Sequence, residues 1–183
     1  MTEISRVALF GKLNRTGYQA VQTWKEAQSL LSFYGELMVT ELMDTYYLIR
    51  TSWVYGVHKR NFVQFVLESA RQGREIRAAE DMVGSPTWTG SLSTAIENIM
   101  TSGTYGTYHA SDAGVVSRYE QARMICQVAG LSADHVRSVR ASELTLKANR
   151  PLFSPLDCGD LAVPSWETAF RMYLEQYKSL YHV

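Results

Sequence analysis

YYLIRTSWVYG, Tyr46 to Gly56, is the stretch whose reading decides the fold. Strand-prone residues run from Tyr46 into Arg50, Thr51, Ser52 and Trp53, and Gly56 closes the run. A mostly apolar stretch of this length suits a parallel strand covered on both faces. Open α/β sheets present ligands beyond the carboxyl ends of such strands, so ligand-facing material is expected from about Thr51 onward. Helical patterns flank it. Glu26 to Met43 leads in, with Leu30, Phe33, Leu37, Met38 and Met43 on one face and Gly35 inside it. Arg60 to Gln72 leads out, its apolar face built from Phe62, Val63, Phe65, Val66, Leu67 and Ala70 and ended by Gly73.

Further outward, Val7 to Phe10 reads as a short strand and GKLNRTG, Gly11 to Gly17, as an ordinary turn; it fits neither GxGxxG nor GxxxxGK[ST]. Residues 1–25 are otherwise a poorly defined segment, and 26–178 form the organised unit. Ile76 to Ala79 predicts a short strand leading into EDMVGSPTWTG, where Pro86 holds Ser85 extended and shapes a loop. Ser91 predicts the cap of a helix through about Met100, with Leu92, Ala95, Ile96 and Ile99 inward. Gly103 to Ser111 reads as a turn and strand. Ser117 with Glu120 forms a capping box before a helix to Ala129, stopped by Gly130. Val136 to Val139 is a strand, KANRPLFSPLDCGDL an extended loop, and Pro164–Ser165 open a final helix carrying Trp166, Phe170, Tyr173, Leu174 and Tyr177. Strands alternating with helices give an α/β architecture.

Composition narrows the function. The chain has 183 residues, enough for a full core, and its 18 basic and 18 acidic residues cancel. That balance argues against a nucleic-acid surface or a polybasic membrane contact. No apolar run approaches the ~20 residues of a membrane helix. Cys126 and Cys158 lack metal or redox spacing and suggest a cytoplasmic protein. Eleven Tyr and four Trp are many for this length, and serve packing, an interface or stacking on a base or sugar.

The order RTSWVYG, NFV at Asn61 to Val63, EDMVGSPTWT, GTYHAS, SRYEQA, NRP and SWETAF closely resembles the carboxyl-terminal part of the dTDP-4-dehydrorhamnose reductase family, across roughly residues 33 to 178. That family lies within the extended short-chain dehydrogenase/reductases. The resemblance implies a partial Rossmann-like parallel sheet with a small substrate-binding lobe. It also implies reduction of the 4-keto group of dTDP-4-dehydro-L-rhamnose by NADPH or NADH, in dTDP-L-rhamnose biosynthesis. By the same resemblance Trp53 is a substrate-side wall, Asn61 opens a helix near the nucleotide phosphates, and Gly84, Ser85, Pro86 and Thr87 form the loop beneath the nucleotide sugar. Arg150 contacts the diphosphate, and Thr51 and Ser52 line the nicotinamide side. Read without it, Trp53 is core, Asn61 a helix cap, the 84–87 segment a turn and Arg150 a surface charge.

Two departures from the family pattern bear on activity. Little precedes Glu26 where the family has a nucleotide-binding lobe with a glycine-rich turn, so tight dinucleotide binding by this chain alone is not expected. The family's Tyr-x-x-x-Lys pair falls at Gln28 and Ser32, which supply neither a proton-donating phenol nor an ammonium. Tyr34 is the nearest substitute but lacks a lysine four residues on. Glu80 and Asp81 match an acidic pair near a dimer contact and a divalent ion in some relatives, yet make no complete metal site. His109 reads as a hydrogen-bonded strand residue. The expected outcome is a truncated or divergent reductase of this family that keeps much of the nucleotide-sugar lobe and is a poor reductase alone. The alternative is a non-catalytic nucleotide-sugar binding or partner protein of an intact reductase or epimerase, docking through the aromatic final helix or a sheet edge; a homo-oligomer is the other partner expected.

Overall fold

A computed structural model describes residues 7–11, 34–145 and 150–181. The Tyr46 stretch is the middle strand of a parallel sheet. Strand β2 (Tyr47–Thr51) lies between β1 (Val7–Gly11) and β7 (Gly106–His109), both parallel to it. Tyr47, Leu48 and Ile49 are at most 2% exposed, as a strand covered on both faces requires. One face carries α3 (Thr89–Thr101), whose Leu92, Ala95 and Ile99 pack with Tyr47, Ile49 and Ala110. Burying each large aliphatic side chain contributes about 1.5–3 kcal/mol.

Helix α1, helical over residues 34–42, stands beside β2, and its expected inner face is corrected. Leu37 and Met38 are 42% and 55% exposed, while Glu36 is buried. Arg50 decides the rotation: its Nη2 lies 2.8 Å from Glu36 Oε2 and its Nε bonds the same carboxylate. The hydrogen bond to Glu36 raises the affinity of Arg50 for its proton. Leu30 and Phe33 lie outside the described residues, as do Gln28 and Ser32.

After Thr51 the chain leaves this sheet and builds a second lobe. Strand β3 (Val54–Tyr55) pairs in parallel with β6 (Thr87–Trp88), and β4 (Ile76–Ala79) in parallel with β9 (Val136–Val139). A third small sheet orders β10 (Phe153–Ser154), β5 (Val83–Gly84) and β8 (Val116–Ser117). The 84–87 segment is thus a link between two short strands rather than a free loop, and the expected loop after Arg150 contains β10. Helices α2 (Phe62–Arg71), α4 (Arg118–Val128) and α5 (Trp166–Tyr181) enclose the lobe's core. The Ser117–Glu120 capping box is formed, and Gly130 ends the helix region at φ 69°. The aromatic face of α5 is turned inward: Phe170 and Tyr173 are at most 1% exposed and stack at 6.0 Å. It is core, so docking through those aromatics is corrected.

Ser91 is not the cap of α3. The N-cap is Trp88, whose side chain caps nothing, and the buried Asp112 supplies the acceptor from another segment. Its Oδ2 accepts from Trp88 N–H at 2.8 Å, and Oδ1 accepts from Ser91 Oγ. Burial raises the Asp112 carboxyl to about 6, against the pull of these two hydrogen bonds. A folded-state value above the unfolded one means that Asp112 adds stability below about pH 4, which is lost as pH rises through about 6. Asp112→Asn keeps the acceptor for Trp88, and its amide can donate to Ser91 Oγ while Ser91 donates to Trp88 O. Between pH 4 and 7 the parent is expected to lose about 2–3 kcal/mol relative to this variant. Urea unfolding of both proteins across that range checks it.

Candidate functional site

The candidate site begins where β2 ends. Ser52 is buried, its hydroxyl donating to Ser154 O at 3.4 Å. Trp53 follows at φ 46°, a left-handed conformation uncommon for a bulky residue. That kink carries the chain from the large sheet to β3 and lays the indole on Gly84. A Cβ on Gly84 would lie 2.5 Å from Trp53 Cε2, so only glycine admits the ring there. On the face of the same ring sits Arg118, its guanidinium carbon 3.5 Å from the ring centroid and 4.7 Å from that of Phe62.

These groups border an open cleft of about 230 Å³ whose wall includes Trp53, Val54, Arg60, Phe62, Arg118 and Gln121. Its floor is the first turn of α2. Asn61 caps that helix: its Oδ1 accepts from Gln64 N–H at 3.1 Å, and its Nδ2 donates to Gly56 O and Lys59 O at 2.7 and 2.8 Å. The amide is committed to shaping the turn, which leaves the Phe62 and Val63 N–H groups at the helix start for an anion. Arg118 Nη1 donates to the buried Gln121 Oε1 at 2.8 Å. Burial, and then repulsion from Arg150, lower its pKa to about 9, so it stays charged at neutral pH. Arg150 is exposed and close enough to contribute that repulsion. Arg60 pairs at 3.5 Å with Glu68. Among the described residues no carboxylate lines the cleft, and its field favours an anion.

The remaining sequence candidates are mostly structural in their contacts. Gly84, Ser85, Pro86 and Thr87 are all buried. Thr87 Oγ1 donates to Ser52 O at 2.5 Å, and Ser85 Oγ accepts from Leu156 N–H at 3.4 Å. The segment supports Trp53 and fixes the exit of β2. Thr51 differs: its Oγ1 is buried at the carboxyl end of the sheet with no hydrogen-bond partner among the described residues. Glu80 pairs with Arg140 at 3.3 Å and Asp81 accepts from Ala141 N–H at 2.8 Å, so both tether the segment after β9. No group of metal-ligating side chains occurs among the described residues. His109 has both ring nitrogens engaged, Nε2 with Arg50 Nη1 at 3.3 Å and Nδ1 with Asp157 O at 3.0 Å. Arg50 can only donate and the carbonyl only accept, so His109 is the Nδ1–H tautomer and offers no free base.

Sequence reasoning missed Arg118 and Gln121. The signal was present in SRYEQA, where the capping box fixes the phase of α4 and puts Arg118 and Gln121 one turn apart on one face.

A parallel sheet giving way at its carboxyl edge to a smaller lobe, with a cationic cleft at the junction, defines the extended short-chain dehydrogenase/reductase architecture. Within it, the family described as RmlD substrate binding domain matches residues 27–179, and the chain belongs to that family. It is 35% identical over 150 residues to the spore coat polysaccharide biosynthesis protein SpsK of Bacillus subtilis, covering 79% of this chain and 52% of that protein. It is 36% identical over 124 residues to the dTDP-4-dehydrorhamnose reductase of Mycolicibacterium smegmatis, covering 67% and 38%. The crystal structure of dTDP-4-dehydrorhamnose reductase from Bacillus anthracis, in complex with NADP, superposes with a TM-score of 0.73 at 30% identity, over 81% of this chain and 54% of that one. An orthologue from Clostridium acetobutylicum gives a TM-score of 0.82 over 95% and 66% at 24% identity, a likeness of fold. The chain spans about half the length of the curated relatives it matches. Among the described residues no helix is long and apolar enough to cross a membrane.

Proposed function

We propose that this chain holds a dTDP-deoxysugar, of the kind reduced at a 4-keto group in dTDP-L-rhamnose biosynthesis, in the cleft between Trp53 and the start of α2. The observation that carries the reading is the cleft itself: aromatic on one side, lined by arginines with no carboxylate among the described residues, and floored by a helix N-terminus. An aromatic wall suits the apolar face of a deoxysugar, and guanidinium groups with helix N–H donors suit a diphosphate. Arg150 is the exposed diphosphate contact and Trp53 sets sugar discrimination. The 84–87 segment acts from beneath by holding Trp53.

For a nicotinamide cofactor the fit is partial. Thr51 keeps an unsatisfied buried hydroxyl at the sheet edge, which would serve a nicotinamide amide, whereas Ser52 is spent on Ser154. A bound dinucleotide would supply the hydride. Gln28 and Ser32 offer no acid to protonate the forming alkoxide, and the exposed Tyr34 stands on α1 without a lysine four residues on. Binding without efficient turnover is the expected behaviour of a cytoplasmic chain of this sequence, alone or beside an intact reductase.

Calorimetric titration with dTDP and dTDP-rhamnose tests this. The parent is expected to bind both, and Arg150→Ala to bind each about 1.5–3 kcal/mol more weakly, the scale of a charge-assisted hydrogen bond. Unchanged binding by the variant would remove Arg150 from the site.

A further inference from the structure

Arg118 differs from the four arginines that form ion pairs among the described residues. Arg50, Arg60, Arg137 and Arg140 each pair with a carboxylate. Arg118 has none among the described residues: it lies on Trp53 and near Phe62, bonds the neutral Gln121, and is pushed by Arg150. Charge placed away from water is ordinarily paired. Here the compensation comes from an aromatic face, a softer partner than an anion and one that a multiply charged phosphate would outbid. The stack also blocks that face of the indole. A side chain with several rotatable bonds, at the first position of α4 and bordering the cleft, can turn from the ring toward the helix start of α2 without moving backbone.

We propose that Arg118 exchanges between two partners, the Trp53 ring and a diphosphate in the cleft, and that its departure from Trp53 uncovers the ring face against which the sugar packs. The proposal rests on the nucleotide-sugar reading for the identity of the sugar, though not for the anion. Arg118 then acts as a specificity residue: a ligand lacking the diphosphate leaves it on Trp53, and the sugar pocket stays shut. Binding of the sugar becomes conditional on the diphosphate. The planar fork of the guanidinium suits both roles, flat against an indole and bidentate toward phosphate oxygens, which a lysine ammonium cannot reproduce.

The test uses inorganic pyrophosphate and the ¹⁵N–¹H signal of the Arg118 Nε–H, assigned by its loss in Arg118→Lys. In the parent this proton lies in the ring current of Trp53, and pyrophosphate is expected to move it downfield. Arg118→Lys is expected to weaken pyrophosphate binding tenfold or more. Trp53→Leu, which removes the competing stack, is expected to bind pyrophosphate several-fold more tightly, with Trp53→Phe between it and the parent and serving as the check on folding. Pyrophosphate binding with the Arg118 signal unmoved, weaker binding by both Trp53 variants, or no binding to the parent at millimolar concentration would each overturn the exchange. If Arg118 is released by pyrophosphate while dTDP-rhamnose binds no better than pyrophosphate, the exchange stands and the nucleotide-sugar reading falls. If dTDP-rhamnose binds and Arg118 stays on Trp53, the exchange falls and that reading stands.

Discussion

Gly84→Ala is expected to cost about 2–3 kcal/mol of stability, in the upper range for overpacking a close-packed interior. The added methyl would sit 2.5, 2.7 and 2.9 Å from Cε2, Cζ2 and Nε1 of Trp53, and the ring has little room to give. Its other neighbour is the Arg118 guanidinium, and its backbone is already held at φ 46°. Gly84 itself is fixed by pairing with Ser154 on one side and Val116 on the other. The clash has one cause, so Trp53→Ala should relieve most of it. In a double-mutant cycle by urea unfolding, the coupling should approach the whole cost of the single alanine. Additive effects would mean that the methyl strains something other than Trp53.

Glu36→Ala is expected to cost about 3 kcal/mol, the low end for breaking a buried ion pair, because Arg50 keeps some contact with water. Glu36 is the one strongly buried charge on α1, and three contacts from Arg50 end on its carboxylate. Without it Arg50 retains, among the described residues, the His109 nitrogen at 3.3 Å, and the helix loses what fixes its rotation against β2. Glu36→Gln should fall between the parent and the alanine variant, since one oxygen can still accept. Denaturant midpoints of the three proteins measure this; equal midpoints would show that α1 is held by other contacts.

Both effects also show what the sequence could and could not disclose. Tyr47 to Thr51 was legible as a buried parallel strand because a run of apolar β-formers has few other uses, whereas the kink at Trp53 and the passage of Val54–Tyr55 into a second sheet were not; Ile76–Ala79 and Val136–Val139 appear over the same residues as expected. The capping box at Ser117 was legible because its partners are three residues apart. The rotation of α1 was not: periodicity put Leu37 and Met38 inward, and a long-range pair, Glu36 with Arg50, reversed it. The start of α3 was misread for the same reason, its acceptor lying 24 residues away in Asp112. Trp53 and Asn61, singled out in the sequence, line the cleft, and Gly84 of the 84–87 segment lies against Trp53. That the segment is a support for the indole, and that Asn61 spends its amide as a cap, required the packing. Arg118 was hidden behind the helix signal in which it sits.

Amide chemical-shift mapping with dTDP-rhamnose tests the central claim most directly. The largest changes are predicted at Phe62 and Val63 in the first turn of α2, at the Trp53 indole N–H and at Gln121, with little change on α1 or the outer face of α5. Shifts confined to other surfaces, or none at millimolar ligand, would contradict the assignment of this cleft to a nucleotide sugar.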